Sequence, residues 1–341
     1  MSIGVAILGS TGSIGRSALS VLERHADRFR VVALTAHRRG AELAQQVERY
    51  RPALAVLVEE DAPAPPCAAG PTVWRRGREA LLDAATHPDA DVVINAVVGA
   101  AGLEATLAAL RAGKRLALAN KESLVVGGPL VLDAMRRGGG ELVPVDSEHS
   151  AILQCLAGAE RREVRRLILT ASGGPFRDRP PESLATVTPE QALRHPTWAM
   201  GAKITVDSAT LANKALEVIE AHFLFAVEYH CIDVVIHPQS IIHSMVEFTD
   251  GSVLAQLGFP TMELPILYAL TYPERIHDGG TRFDPVAAGA LTFEPLDPAR
   301  FPAFRLGIEA GRYGGVAPAV FNAANEVAVA AFLAGDLPFP G

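Results

Sequence analysis

The chain has 341 residues, 49% hydrophobic and 20% charged, an ordinary core-forming composition with length for roughly two or three domains. A net charge of −7 gives no electrostatic support for nucleic-acid binding, no run reads as long and apolar enough to span a bilayer, and no signal peptide is visible. Three cysteines without a CxxC pair (Cys67, Cys155, Cys231) argue against a disulfide framework or zinc knuckle, and for a reduced, cytoplasmic setting.

The first half alternates between strand and helix. Ile3 to Leu8 reads as a buried parallel strand. Gly9-Ser10-Thr11-Gly12-Ser13-Ile14-Gly15 follows, then a helix through Ala18, Leu19 and Leu22. Strand, glycine turn and helix are the context in which backbone N–H groups approach a pyrophosphate. The spacing is GxxGxxG, a variant that NADP-dependent reductases also use. A strand at Val31 to Thr35 ends in Ala36-His37-Arg38-Arg39, where an NAD site expects a carboxylate. His37, Arg38 and Arg39 suit a 2′-phosphate instead, which favours NADPH; a solvated helix start is the alternative.

Further strands are expected at Ala53–Val58, Asp91–Val97 and Leu116–Ala119, with helices from Leu103 to Ala112 and onward to Arg137. Glu59 to Pro71, which holds Cys67, reads as a loop. The small residues from Val98 to Leu103 would let a cofactor lie close to the backbone. Gly138-Gly139-Gly140 turns into a strand that runs out at Val145-Asp146-Ser147-Glu148-His149. The repeated βα pattern is that of a doubly wound parallel sheet, whose ligands bind beyond the carboxyl ends of the strands. The glycine turn, Asn120-Lys121-Glu122 and Asp146-Ser147-Glu148 all fall at such ends.

Read as extended, Asp146 and Glu148 aim two carboxylates to one side. Like charges so placed call for a cation between them, with Mg²⁺ or Mn²⁺ suited to carboxylate oxygen. A solvated strand end is the alternative. Only four lysines occur (Lys114, Lys121, Lys203, Lys214), so one in a polar motif invites a functional reading.

After Ile152 the pattern changes. A helix carries Cys155, a strand at Leu167–Thr170 leads to Ser172-Gly173-Gly174-Pro175-Phe176, and a long polar stretch runs from Arg177 to Thr197. It continues into Trp198-Ala199-Met200-Gly201 and has the make-up of a lid. Asp207 or Ser208 is expected to cap a helix beginning at Leu211, whose N-terminus would receive an anion. Asn213, Lys214 and Glu217 then share one helix face. Glu217 is either a third metal carboxylate or half of a surface ion pair with Lys214. A strand at Ile232–Ile236 and a hairpin turning at Asp250-Gly251 follow. His237, His243 and His277 lack metal-ligand spacing and read as structural or interface residues. Asp278 to Pro302 looks like a linker, and Phe304–Ala310 and Ala317–Leu333 read as helices.

Taken together, the motifs from Gly9 to Glu217 resemble the 1-deoxy-D-xylulose 5-phosphate reductoisomerases, in the family's order and from end to end of the chain. The resemblance implies a Rossmann-like NADPH domain at 1–147, a central α+β catalytic and dimerisation domain at 148–277, a linker at 278–302 and a helical domain at 303–341. The last of these reads as cut short after Asn322-Ala323-Ala324-Asn325-Glu326. A metal on Asp146, Glu148 and Glu217 is implied, with Ser172, Ser208, Asn213 and Lys214 around the substrate phosphate. His195 and Trp198 would ride on a closing flap, and Lys121, Ser147 and Glu148 would meet the substrate. The catalytic roles fall to Lys121, Glu148 and His195. Thr11, Gly12, Ser13, Ile14, His37, Arg38, Arg39, Asn120, Glu122 and Gly201 would hold NADPH. The implied reaction, in a homodimer, rearranges and reduces 1-deoxy-D-xylulose 5-phosphate to 2-C-methyl-D-erythritol 4-phosphate.

Rival readings are weaker. A short-chain reductase needs a Tyr with Lys four residues on, and no Tyr here has one. A semialdehyde dehydrogenase needs a nucleophilic Cys in a polar loop, and none is so placed. A non-catalytic NADPH sensor would not need the carboxylates.

Overall fold

The computed structural model describes residues 2–63, 70–198, 200–280 and 282–340, with the side chain of Pro181 aside. Cys67 and Ala199 lie outside the described residues. The chain forms two compact units, residues 1–146 with 262–276, and residues 147–261 with 277–341.

The first unit is built on a parallel sheet. Its elements are β1 (Ile3–Leu8), α1 (Ser13–Arg24), β2 (Phe29–Ala36), α2 (Gly40–Tyr50), β3 (Leu54–Leu57), β4 (Val73–Arg76), α3 (Gly77–Ala85), β5 (Val92–Asn95), α4 (Leu103–Arg111), β6 (Arg115–Leu118), α5 (Glu122–Gly138) and β7 (Glu141–Pro144). The strand order β4-β3-β2-β1-β5-β6-β7 is that of a doubly wound sheet, as expected, with its switch point between β1 and β5. The inner strands are buried on both faces, which is why they read as continuous apolar runs. The sequence reading had no counterpart for β4 or α3. The β4 stretch, Val73-Trp74-Arg75-Arg76, is an exposed edge strand and carries no apolar run.

The second unit contains α6 (Ser147–Cys155), β8 (Val164–Ala171), the short α7 (Pro189–Ala192), α8 (Ala202–Thr210), α9 (Ala212–Phe225), β9 (Ile232–Ile236), β10 (Ile242–Phe248) and β11 (Val253–Leu257). Next in the chain, α10 (Glu263–Thr271) belongs to the first unit, where Glu263 lies 2.9 Å from Arg24 and Arg115 donates to the Leu270 carbonyl. The expected central domain had included this helix. The second unit resumes with α11 (Pro285–Ala288), β12 (Glu294–Pro295), α12 (Pro302–Tyr313) and α13 (Ala317–Ala334). Its sheet is mixed, in the order β11-β10-β8-β9-β12, with β8 and β9 parallel. The stretch expected as a linker thus adds an edge strand, and α12 packs on α9 within the same unit.

One described helix, α13, is long and apolar enough to cross a membrane by length and composition, with a mean hydropathy of 1.4, where none was expected. Its length comes from a run of Ala and Val. Its Asn325 nevertheless hydrogen-bonds Asp207 inside the unit.

Candidate active site

In the first unit the glycine turn closes β1 onto α1. Gly9 has φ +85°, and a Cβ there would lie 2.7 Å from the Ala96 carbonyl oxygen. A Cβ on Gly15 would lie 2.4 Å from the Gly9 carbonyl oxygen, so only glycine lets α1 start this close to the strand. Thr11, Gly12, Ser13 and Ile14 form the turn and the first residues of α1. Arg39 donates to the Thr11 carbonyl at 3.1 Å, which draws the expected 2′-phosphate group toward the turn. His37 and Arg38 both contact Glu59 Oε2, at 3.1 and 3.2 Å. Glu59 had been read only as the start of a loop.

Asn120 bonds within the protein. Its amide donates to the carbonyls of Val97 and Gly99, both at 2.8 Å, and it is fully buried with Glu122 beside it. It thereby draws the β6 end against the loop after β5. Lys121 is buried, and its Nζ lies 2.6 Å from Asp146 Oδ2. Asp146 closes the first of the two chain segments that make up this unit.

The extended geometry expected for Asp146 and Glu148 is not what forms. The strand β7 stops at Pro144, and Glu148 sits in the first turn of α6. Ser147 and the acidic first turn favour a helix start there. A facing helix, α9, supplies the rest. Lys214 Nζ contacts Glu148 Oε1 at 2.7 Å and also Glu217 Oε2. Asn213 donates to Glu217 Oε1, and Ser147 donates to Glu148 Oε2 at 2.6 Å. Lys214 and Glu217 are buried, which discards the surface ion pair. Burial pushes the Lys214 pKa down, but the carboxylates of Glu148 and Glu217 outweigh it and the net shift is upward.

A second buried pair supports this face. His149 donates from Nε2 to the Glu217 carbonyl at 2.8 Å, and its Nδ1 lies 3.2 Å from Glu220 Oε2. Both side chains are fully buried. The spacing Glu217-x-x-Glu220, one helical turn, was the sequence signal for the second acid.

The expected cap at Asp207 or Ser208 is also overturned. Both lie inside α8, which runs to Thr210. Leu211 then takes a left-handed conformation, φ 56°, and α9 begins at Ala212. Ser208 stands in the last turn of α8, and Gly201 caps that helix's start. The Ser172 loop meets this turn closely: a Cβ on Gly174 would lie 2.5 Å from the Ser208 carbonyl oxygen.

His195 reaches Ser172. Its Nδ1 accepts from the backbone N–H groups of Thr197 and Trp198, at 3.1 and 2.9 Å. The proton therefore sits on Nε2, which donates to Ser172 Oγ at 3.1 Å. Burial pushes the His195 pKa below its ordinary value, in keeping with a neutral ring. Trp198 packs against His243, ring centres 6.1 Å apart. Burial lowers the pKa of His243 too, with Glu148 opposing. His237 accepts from the N–H groups of Ile241 and Ile242, as a structural histidine would.

The comparisons follow this geometry. Family models described as 1-deoxy-D-xylulose 5-phosphate reductoisomerase and its C-terminal domain match residues 5–128 and 142–225, and a DXP reductoisomerase C-terminal domain matches residues 257–341. The reductoisomerase of Symbiobacterium thermophilum is 57% identical over all of this chain and 89% of its own length. That of Heliobacterium modesticaldum is 57% identical over 96% of this chain and 85% of its own. The solved Zymomonas mobilis enzyme in complex with NADPH is 46% identical, with a TM-score of 0.91, over 100% of this chain and 89% of its own. A reductoisomerase solved with NADPH, fosmidomycin and magnesium has a TM-score of 0.94 at 41% identity, over 99% of this chain and 86% of its own. With models matched in order along its length and relatives more than half identical over nearly all of it, the chain belongs to the 1-deoxy-D-xylulose 5-phosphate reductoisomerase family.

Proposed function

We infer that the chain carries out the family reaction, converting 1-deoxy-D-xylulose 5-phosphate to 2-C-methyl-D-erythritol 4-phosphate with NADPH and a divalent cation. The observation that carries this reading is the buried Glu148–Lys214–Glu217 array on facing helices. Its two carboxylates are oxygen donors that already attract one positive charge, which fits a hard cation such as Mg²⁺ or Mn²⁺. When bound by Asp146, Glu148 and Glu217, the cation supplies Lewis-acid stabilisation of negative charge on adjacent substrate oxygens, and NADPH supplies the hydride.

The chain's own residues do the rest. Lys214, held charged, and the donors of Ser172, Ser208 and Asn213 bind the phosphate far from the reacting carbons, which provides energy for closure. His195 contributes its Nε2 proton to that site and, with Trp198, covers it against water. Lys121, beside Asp146, presents an ammonium to the substrate oxygens and is the candidate proton donor. The turn from Thr11 to Ile14 receives the pyrophosphate at the α1 N-terminus, and His37, Arg38 and Arg39 receive the 2′-phosphate. Asn120 shapes the loop on which the nicotinamide rests, while Glu122 and Gly201 contact the cofactor. The homodimer and the cytoplasmic setting belong to this proposal and rest on family membership.

The test is NADPH oxidation on addition of 1-deoxy-D-xylulose 5-phosphate, with Mg²⁺ and then with EDTA. Metal-dependent oxidation is expected. Oxidation that survives EDTA would remove the cation from the reaction, and no oxidation by folded protein would remove the activity.

A further inference from the structure

The segment Phe321-Asn322-Ala323-Ala324-Asn325-Glu326 on α13 has no part in the chemistry above, yet one of its side chains reaches the α8 turn that carries Ser208. Asn325 Nδ2 donates to Asp207 Oδ1 at 2.8 Å across 118 residues of sequence. Asp207 is 1% exposed, and its other oxygen lies 3.0 Å from Lys203 Nζ, one helical turn back. A carboxylate buried this deeply requires such donors. The residue after it is Ser208, whose carbonyl touches the Ser172-Gly173-Gly174 loop. The clamp therefore holds the turn from which Ser208 projects.

Apolar packing alone does not fix that turn. Phe176, Val206, Ala209, Val329 and Phe332 form one buried cluster between the loop, α8 and α13. Such contacts are non-directional. A cavity of about 280 Å³ also lies beside the clamp, lined by Val206, Thr210, Asn325, Val329 and Phe332 among others. The directional bond from Asn325 selects one arrangement among those the cluster permits.

We propose that Asn325 is a positioning residue for substrate-anion binding, acting through Asp207 on Ser208. The inference rests on the reading of Ser208 as a phosphate ligand, so both residues are tested together. Steady-state KM and kcat for the sugar phosphate, and Kd for NADPH, are measured for Asn325→Leu, Asn325→Gln and Ser208→Ala. Asn325→Leu should raise KM about fivefold to tenfold, with kcat within about twofold and NADPH affinity unchanged, less than the direct loss of a hydrogen bond to a charged group because the effect reaches Ser208 through Asp207. Asn325→Gln should recover most of that loss, because the adjoining cavity accepts the extra methylene. If Asn325→Leu does not fold, Asn325→Ala reads the same KM. A raised KM in Ser208→Ala with none in the Asn325 variants overturns the inference alone. An unchanged KM in Ser208→Ala overturns the ligand reading, and the inference with it. A parallel fall in kcat and NADPH affinity in both Asn325 variants also overturns it, since that marks a general structural role.

Discussion

Lys214 Nζ lies 2.7 Å from Glu148 Oε1, joining the first turns of two helices that are 66 residues apart in sequence. Lys214 also contacts Glu217, so two carboxylates share one ammonium inside the second unit. Lys214→Gln removes the positive charge that those carboxylates share. The variant should lose roughly 3 kcal/mol of stability in EDTA. Mg²⁺ should raise its melting temperature more than that of the parent, because the cation then replaces the missing positive charge. Equal Mg²⁺ shifts in the two proteins would mean that the carboxylates do not bind the cation.

Glu217→Gln keeps shape and removes charge. It should lower kcat about a hundredfold to a thousandfold at saturating substrate and modest Mg²⁺, the scale of losing one preorganised charge at the reacting centre. A near-parental rate would discard the three-carboxylate site.

His195 gives a pH dependence with a defined sign. Its folded pKa is pushed down by burial, so the folded state favours the neutral ring. The stabilisation of the loop that carries His195 is thus complete above the ordinary histidine value of about 6.5 and is lost as pH falls through the lower folded value. Protonation of Nδ1 would expel the N–H donors of Thr197 and Trp198. Substrate KM should rise on the acid side in the parent, and this limb should flatten in His195→Asn. The second ionisation of a phosphate ester, near pH 6, is common to both proteins, so the difference profile isolates the histidine. Superimposable profiles would exclude it.

Glu59 sits against His37 and Arg38, where the 2′-phosphate is proposed to bind. A carboxylate there opposes the incoming anion. Glu59→Gln should therefore tighten NADPH binding about twofold to fivefold and leave NADH unchanged, a modest effect because these side chains are well exposed. Parallel titrations of the two cofactors decide it; equal gains for both would place the 2′-phosphate elsewhere.

Most of the parallel sheet was legible because its inner strands are buried on both faces and each glycine or polar motif follows a strand directly, whereas the exposed edge strand β4 carries no apolar run. The face shared by Asn213, Lys214 and Glu217 was legible because helical spacing survives any tertiary setting. Two local geometries were not. At Asp146-Ser147-Glu148 the apolar run suggested continued extension, while a helix begins at Ser147 with Glu148 in its first turn. At Leu211 a left-handed residue breaks α8 from α9, and leucine gives no warning of that conformation as glycine would. The placement of α10 in the first unit depends on pairs such as Arg24–Glu263, far apart in sequence and invisible to periodicity.

The scarcity of lysine has a practical result. Lys121 and Lys214 are buried against Asp146 and against Glu148 with Glu217, and Lys203 is held by Asp207. Lys114 makes a long 3.4 Å contact to the Pro88 carbonyl. Among the four lysines, amine-selective acylating reagents should accordingly label Lys114 first and spare the three engaged ammonium groups.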